Sequence, residues 1–215
     1  MGSAGLLQAG GAVLLLSLLG LLGPPLGLSP AWITLLVLLG LVGLTVDAAS
    51  FNGRGGHLLA EALPGGERRL RRIAQHESGH LLAAEHDNLP VRRVLIGSLA
   101  CLRAGLPSGG CTEFPPPASV RMPLEDLRRW SRVLQAGMVA EELLHGASEG
   151  GADDRALLGR LWGLSGHDVA TAQREQRQAR REVRRLLSER RADLEQRAEA
   201  LLRQAPRLGR PQPAP

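Results

Sequence analysis

The sequence predicts a mainly α-helical protein with a small β element, divided into an N-terminal transmembrane helical hairpin and a helical domain that carries a metal-site motif. Three observations predict it. Residues 1–46 contain no Asp, Glu, Lys, Arg or His. Apolar residues recur at helical spacing through most of the chain after Glu67, and only two short runs, Val91–Ile96 and Cys111–Phe114, read as strands.

The uncharged stretch holds two apolar segments, Ala4–Gly23 and Pro30–Val46, separated by Pro24-Pro25 and a second break at Ser29-Pro30. Each approaches the ~20 residues a helix needs to cross a bilayer core. The first is interrupted by Gln8, Gly10 and Gly11, which makes it the weaker span and leaves a re-entrant segment beside a single span as an alternative. A cleaved signal peptide fits less well, because there is no basic leader and a second apolar run follows. Arg54, Arg68, Arg69, Arg71 and Arg72 come soon after the second segment. The positive-inside rule then predicts an integral membrane protein whose domain faces the cytoplasm, or the equivalent side of a thylakoid or organelle membrane.

All 26 basic side chains are arginine. Without lysine the chain cannot build a phosphate-binding P-loop, a kinase-type nucleotide site or a Schiff base, so it encodes no ATPase module. The arginine bias and the lack of tyrosine look like a base-composition preference and carry no mechanism. Cys101 and Cys111 fit a reducing compartment as plain thiols. Positive charge is concentrated late: residues 174–210 hold 12 Arg against 6 acids, whereas residues 47–173 hold 14 against 15. With no aromatic residue for base stacking in that stretch, nucleic acid is not an expected partner. A solvated helix face that touches a membrane surface is the expected reading, with an acidic partner helix as the alternative.

Four parts follow: a two-span anchor over 1–46, a Gly-rich tether over 47–66, a folded domain over 67–205 and a disordered tail over 206–215. Within the domain, Leu70, Ile73, Ala74, Leu81 and Ala84 predict a helix from Glu67 to Asp87. Pro115-Pro116-Pro117 stops the second strand and makes it an edge, where an extended peptide can pair; a loop with a proline stop is the plainer alternative. A second helix is predicted over Leu124–His145, closed by Gly146. A turn over Gly146–Asp154 leads to a helix over Arg155–Leu164, and one or two helices fill His167–Gln204.

The first helix contains His76-Glu77-Ser78-Gly79-His80. Histidines at i and i+4 share a helix face one turn apart, so both imidazoles can hold one zinc ion while the intervening glutamate handles the proton of a water. Catalytic zinc takes three protein ligands, and several residues compete for the third place. His86 has metzincin spacing, but the turning glycine of that pattern is Ala83 here. Glu141 or Glu142 would follow the gluzincin scheme. Asp153 or Asp154 lies in a turn of small residues, where capping explains one aspartate but not two.

His76–His80, Ala140-Glu141-Glu142-Leu143-Leu144-His145-Gly146 and Gly150-Gly151-Ala152-Asp153-Asp154 together resemble the peptidase domain of the FtsH family of membrane-bound, ATP-dependent zinc proteases. The resemblance covers residues 68–205. It implies a helical zinc-peptidase domain in which His76, His80 and Asp154 bind zinc, Glu77 is the catalytic base, and peptides or proteins are the substrate. It also implies an FtsH-like ATPase partner or a homo-oligomer. Ser78 replaces the usual Ala, Asp153 the usual Asn, and a tether of about twenty residues stands where the family has its AAA ATPase module. The chain is thus similar to a family protease reduced to anchor and peptidase. A site-2-type intramembrane protease also uses HExxH, but Glu67-Arg68-Arg69-Leu70-Arg71-Arg72 is too charged for a bilayer interior. A weakly active or inactive regulatory or scaffold subunit of an FtsH-like complex is the alternative from another class.

Overall fold

A computed structural model of the chain describes residues 17–18, 20–27, 29–51, 57–58, 61–62, 65–117, 119 and 121–207. They belong to two compact units, Met1–Gly56 and His57–Pro215. The molecule is mainly helical with one small sheet.

In the first unit, helix α1 spans Pro30–Phe51. Ser29 caps it, its hydroxyl accepting from the Ala31 N–H at 3.2 Å, and Pro30 occupies a position where the missing N–H costs nothing. Among the described residues α1 is the one helix long and apolar enough to cross a membrane: its Pro30–Asp47 stretch has a mean hydropathy of 1.9 and none of it is buried. The helix runs past the predicted end at Val46. Most of the predicted first span, Ala4–Gly23, lies outside the described residues; the part within reach ends in a single 3₁₀ turn, Pro24–Leu26, closed by Gly27 at φ 79°.

The second unit begins earlier than the predicted domain start at Glu67. Glu61, placed in the tether by the sequence, sends its carboxylate to the backbone N–H of Ser98 at 2.8 and 3.0 Å and to its hydroxyl at 2.6 Å. Arg69 bonds His57 at 2.7 Å. The tether is therefore fastened to the domain from His57 onward. The tail beyond Arg207 lies outside the described residues.

The domain's elements in order are α2 Gly66–His86, β1 Arg93–Ile96, α3 Ser98–Arg103, β2 Gly110–Glu113, α4 Leu124–His145, α5 Ala152–Leu164, α6 Val169–Glu189 and α7 Arg191–Gln204. The strands pair antiparallel, with Val94 opposite Thr112 and Ile96 opposite Gly110. Helix α3 was not foreseen. Its six residues are too few to show a period, and its start is held by Glu61, 37 residues away.

Helix α4 is the central member, packed between α2 on one side and α5 and α6 on others. Leu82, Ala83 and Ala84 of α2 meet Val133, Ala136, Val139 and Ala140 of α4, with Val183 and Leu187 of α6 and Leu194 of α7 closing the main core. A second cluster joins α4 to α5 through Leu127, Trp130, Leu134, Leu158, Leu161 and Trp162. The third joins α2, β1 and α7 through Leu70, Ala74, Ile96, Ala198 and Leu202. Full burial of a Leu or Val side chain contributes about 1.5–3 kcal/mol. These contacts fix the crossing of α2 over α4, and the histidine pair sits at that crossing.

Candidate metal centre

Two glycines set how closely α2 and α4 approach. A methyl added at Gly79 would lie 2.6 Å from the Ala136 carbonyl oxygen and 2.8 Å from Ala140 Cβ. On the facing helix, a methyl at Gly137 would lie 2.4 Å from Nε2 of His76 and 2.6 Å from Nε2 of His80. Only glycine leaves room for both ring nitrogens against the α4 backbone. The rings stack edge to face, with centroids 4.8 Å apart, and both histidines are buried.

Each imidazole is oriented from its outer nitrogen. Nδ1 of His80 donates to the Val133 carbonyl at 2.7 Å; a carbonyl only accepts, so Nδ1 carries a hydrogen, and in the neutral ring, the form that binds a metal, the lone pair is on Nε2. Nδ1 of His76 faces Glu141 Oε1 at 2.7 Å with the same consequence. Glu141 is fixed in turn by Arg72 Nε at 2.7 Å and by the backbone N–H groups of Glu149 at 2.9 Å and Gly150 at 3.2 Å. Outer hydrogen bonds of this kind set the tautomer and aim of a metal-binding histidine.

The third electron-pair donor is Asp154. Gly151, at φ 82°, begins α5, so Asp154 falls in the first helical turn and its carboxylate turns to the histidines. Its Oδ2 lies 3.1 Å from Nε2 of His76 and 3.4 Å from Nε2 of His80. Tetrahedral zinc with bonds of about 2.0–2.1 Å separates its ligand atoms by about 3.3 Å, and both carboxylate-to-imidazole spacings are near that value. The three donor atoms all lie within 4.8 Å of one another and form a group that can hold a metal.

The local field favours a cation at that point. Burial alone would lower the His76 pKa, but hydrogen bonds with Asp154 and Glu141 outweigh it and raise it to about 10. His80 is raised as well, its burial overcome by Asp154. Burial would raise both carboxylates, yet the positive charge of His80 and the hydrogen bonds of both rings hold Asp154 well below its usual value. Hydrogen bonds from His76, the Glu149 backbone and Arg72 hold Glu141 at about 2. The opposed shifts have one cause, the close approach of two imidazoles and two carboxylates within a buried cluster.

Glu77 behaves differently. Burial dominates and pushes its carboxyl up, only partly offset by the two histidines and by the Thr112 hydroxyl, which donates to Oε2 at 2.7 Å. Gly110 lies close on the same side, where a methyl would come 2.8 Å from Glu77 Oε1. The base candidate is thus clamped between α2 and strand β2.

The structure also sorts the competitors for the third place. His86 is exposed on the last turn of α2 and bonds Asp87. Glu142 pairs with Arg180 and Arg184 of α6. Asp153 is exposed. Glu141 reaches the outer nitrogen of His76, away from the three converging atoms. Sequence reading missed Thr112, Gly137 and the orienting place of Glu141 and Arg72; the one signal available for Gly137 is an unexplained glycine inside a strong helix. No protein-family model and no curated protein matches the chain.

Proposed function

We propose that the chain is a membrane-anchored zinc metalloendopeptidase that hydrolyses peptide bonds on the cytoplasmic side of its membrane, similar to the FtsH-family peptidase domain, with no lysine in its 215 residues to build a P-loop. One observation carries the reading: Nε2 of His76, Nε2 of His80 and Oδ2 of Asp154 converge with the outer nitrogens of both rings already tied, and the buried Glu77 carboxyl follows His76 on the same helix. The apolar helix α1 supports the anchor, and the arginines that follow it support the orientation.

His76, His80 and Asp154 would hold the ion. Zinc, when bound, supplies Lewis acidity that lowers the pKa of a water and polarises the scissile carbonyl. Glu77 takes a proton from the attacking water and delivers it to the leaving amine. Its raised pKa brings the carboxyl nearer the working pH for both transfers. Thr112 keeps Oε2 of Glu77 in place through these exchanges. Strand β2 pairs with β1 along one edge and has no other strand partner among the described residues, which suits an extended peptide laid beside Glu77.

The test is zinc content together with cleavage of casein or short peptides in the absence of ATP. About one zinc per chain and ATP-independent cleavage are expected. Glu77→Gln should keep the zinc and lose cleavage by about 10²–10⁴-fold. A metal-free chain, or cleavage unchanged by Glu77→Gln, overturns the mechanism. A second reading, a regulatory subunit of an FtsH-like complex, is favoured by the absence of any lysine for a P-loop. It predicts zinc without cleavage and co-purification with an FtsH-like ATPase.

A further inference from the structure

Helix α6 presents a row of arginines that the fold does not use. At about 100° per residue, Arg174, Arg177, Arg181 and Arg185 line one side over roughly 16 Å, opposite the buried row of Ala179, Val183 and Leu187. Arg185 is 82% exposed and bonds only Glu189, one turn on; Arg181 bonds Gln178 on its own helix. Arg174 reaches Glu175 only at 4.0 Å, and Arg177 makes no ion pair among the described residues. Glu175, Glu182 and Arg184 turn toward α4 instead. Glu175 pairs with Arg128 at 2.7 Å, Glu182 with Arg132 at 3.1 Å, and Arg184 with Glu142 at 2.5 Å. Two of the three acids of α6 are therefore spent on the packed side, and Glu189 alone pairs with a member of the row at close range.

We propose that this row of arginines on α6 is a docking surface for anionic lipid headgroups. Two features point to a lipid surface as the occupant. The row has no aromatic or large apolar residue among its guanidiniums, whereas a protein interface needs an apolar centre depleted in charge. The same chain carries α1, whose apolar length suits a bilayer and would keep the domain at a headgroup layer. Guanidinium groups pair with phosphate through two parallel hydrogen bonds, so a lysine-free row suits that chemistry. The inference draws on the membrane part of the proposed function and is independent of the zinc chemistry.

The experiment is phenylglyoxal footprinting of arginines in the full chain, read by mass spectrometry after reconstitution into phosphatidylcholine nanodiscs with or without 30 mol % phosphatidylglycerol. Modification of Arg174, Arg177, Arg181 and Arg185 should slow at least about fivefold in the anionic discs and recover in 0.5 M salt. The exposed Arg92 and Arg160, off the row, should react equally in both. Glu77→Gln should give the same pattern, which separates this result from any failure of the peptidase reading. In the double variant Arg177→Glu/Arg181→Glu, Arg174 and Arg185 should lose their protection while zinc content stays as in the parent. Equal reaction of the row in both discs overturns the proposal. So does a chain recovered with neither disc, or protection given by polyglutamate or single-stranded DNA but not by phosphatidylglycerol.

Discussion

Helices α2 and α6 are both 21 residues long and both pack on α4, yet they treat polar groups in opposite ways. Helix α6 follows the ordinary rule: Ala179, Val183 and Leu187 go in and the arginines stay out. Helix α2 buries His76, Glu77, Ser78 and His80 at its middle. Burying such groups costs free energy unless they are hydrogen-bonded, and here Val133, Glu141, Asp154, Thr112 and the Ala74 carbonyl are the partners. An interior that keeps two imidazoles and two carboxylates in contact contains a group that can hold a metal ion, while the α6 face is organised around packing.

Substitutions on the two helices and their partners should separate along that line. Asp154→Ala removes one of three converging atoms and should weaken zinc binding at least about a hundredfold, measured by competition with a chromogenic chelator. Unchanged affinity would move the third ligand to another residue. Leu187→Ala, on the packing side, should destabilise the fold by about 2–5 kcal/mol in denaturant unfolding while leaving zinc stoichiometry intact. A loss of zinc in folded Leu187→Ala protein would erase the distinction between the helices. Glu141→Gln keeps an acceptor beside His76 but removes its charge; a 10–100-fold loss of zinc affinity, with little change in unfolding midpoint, is the expected signature of an orienting residue. The smallest effect belongs to Arg177→Ala, within about 0.5 kcal/mol of the parent in stability, because its side chain makes no contact that folding needs.

The sequence makes one helix of this comparison easier to read than the other. Periodic apolar residues reveal α6, and the helix predicted over Leu124–His145 and closed by Gly146 has the observed limits of α4. The predicted turn before α5 was too long. Helix begins at Ala152 rather than Arg155 because Gly151 supplies the left-handed residue that starts it, and that shift chooses Asp154 over Asp153. Spacing exposes His76 and His80 since both belong to one turn of one helix. Their supports are harder to see: Thr112 lies 35 residues from Glu77, and Glu141 lies 65 from His76. Linear patterns report neighbours along a single element, and these contacts exist only once β2 and α4 have docked on α2. Val133 is less legible still, because it contributes a main-chain oxygen that any residue would supply.

Gly137 sits in the interior of a long helix, where alanine would be favoured by about 1 kcal/mol. The added methyl would meet Nε2 of His76 at 2.4 Å and Nε2 of His80 at 2.6 Å, and overpacking of that kind costs about 1–3 kcal/mol, so a laboratory selection for heat tolerance alone would keep the glycine. Thermally hardened descendants of this chain should therefore carry glycine at 137 still, a poor helix former held in place by two rings on the neighbouring helix.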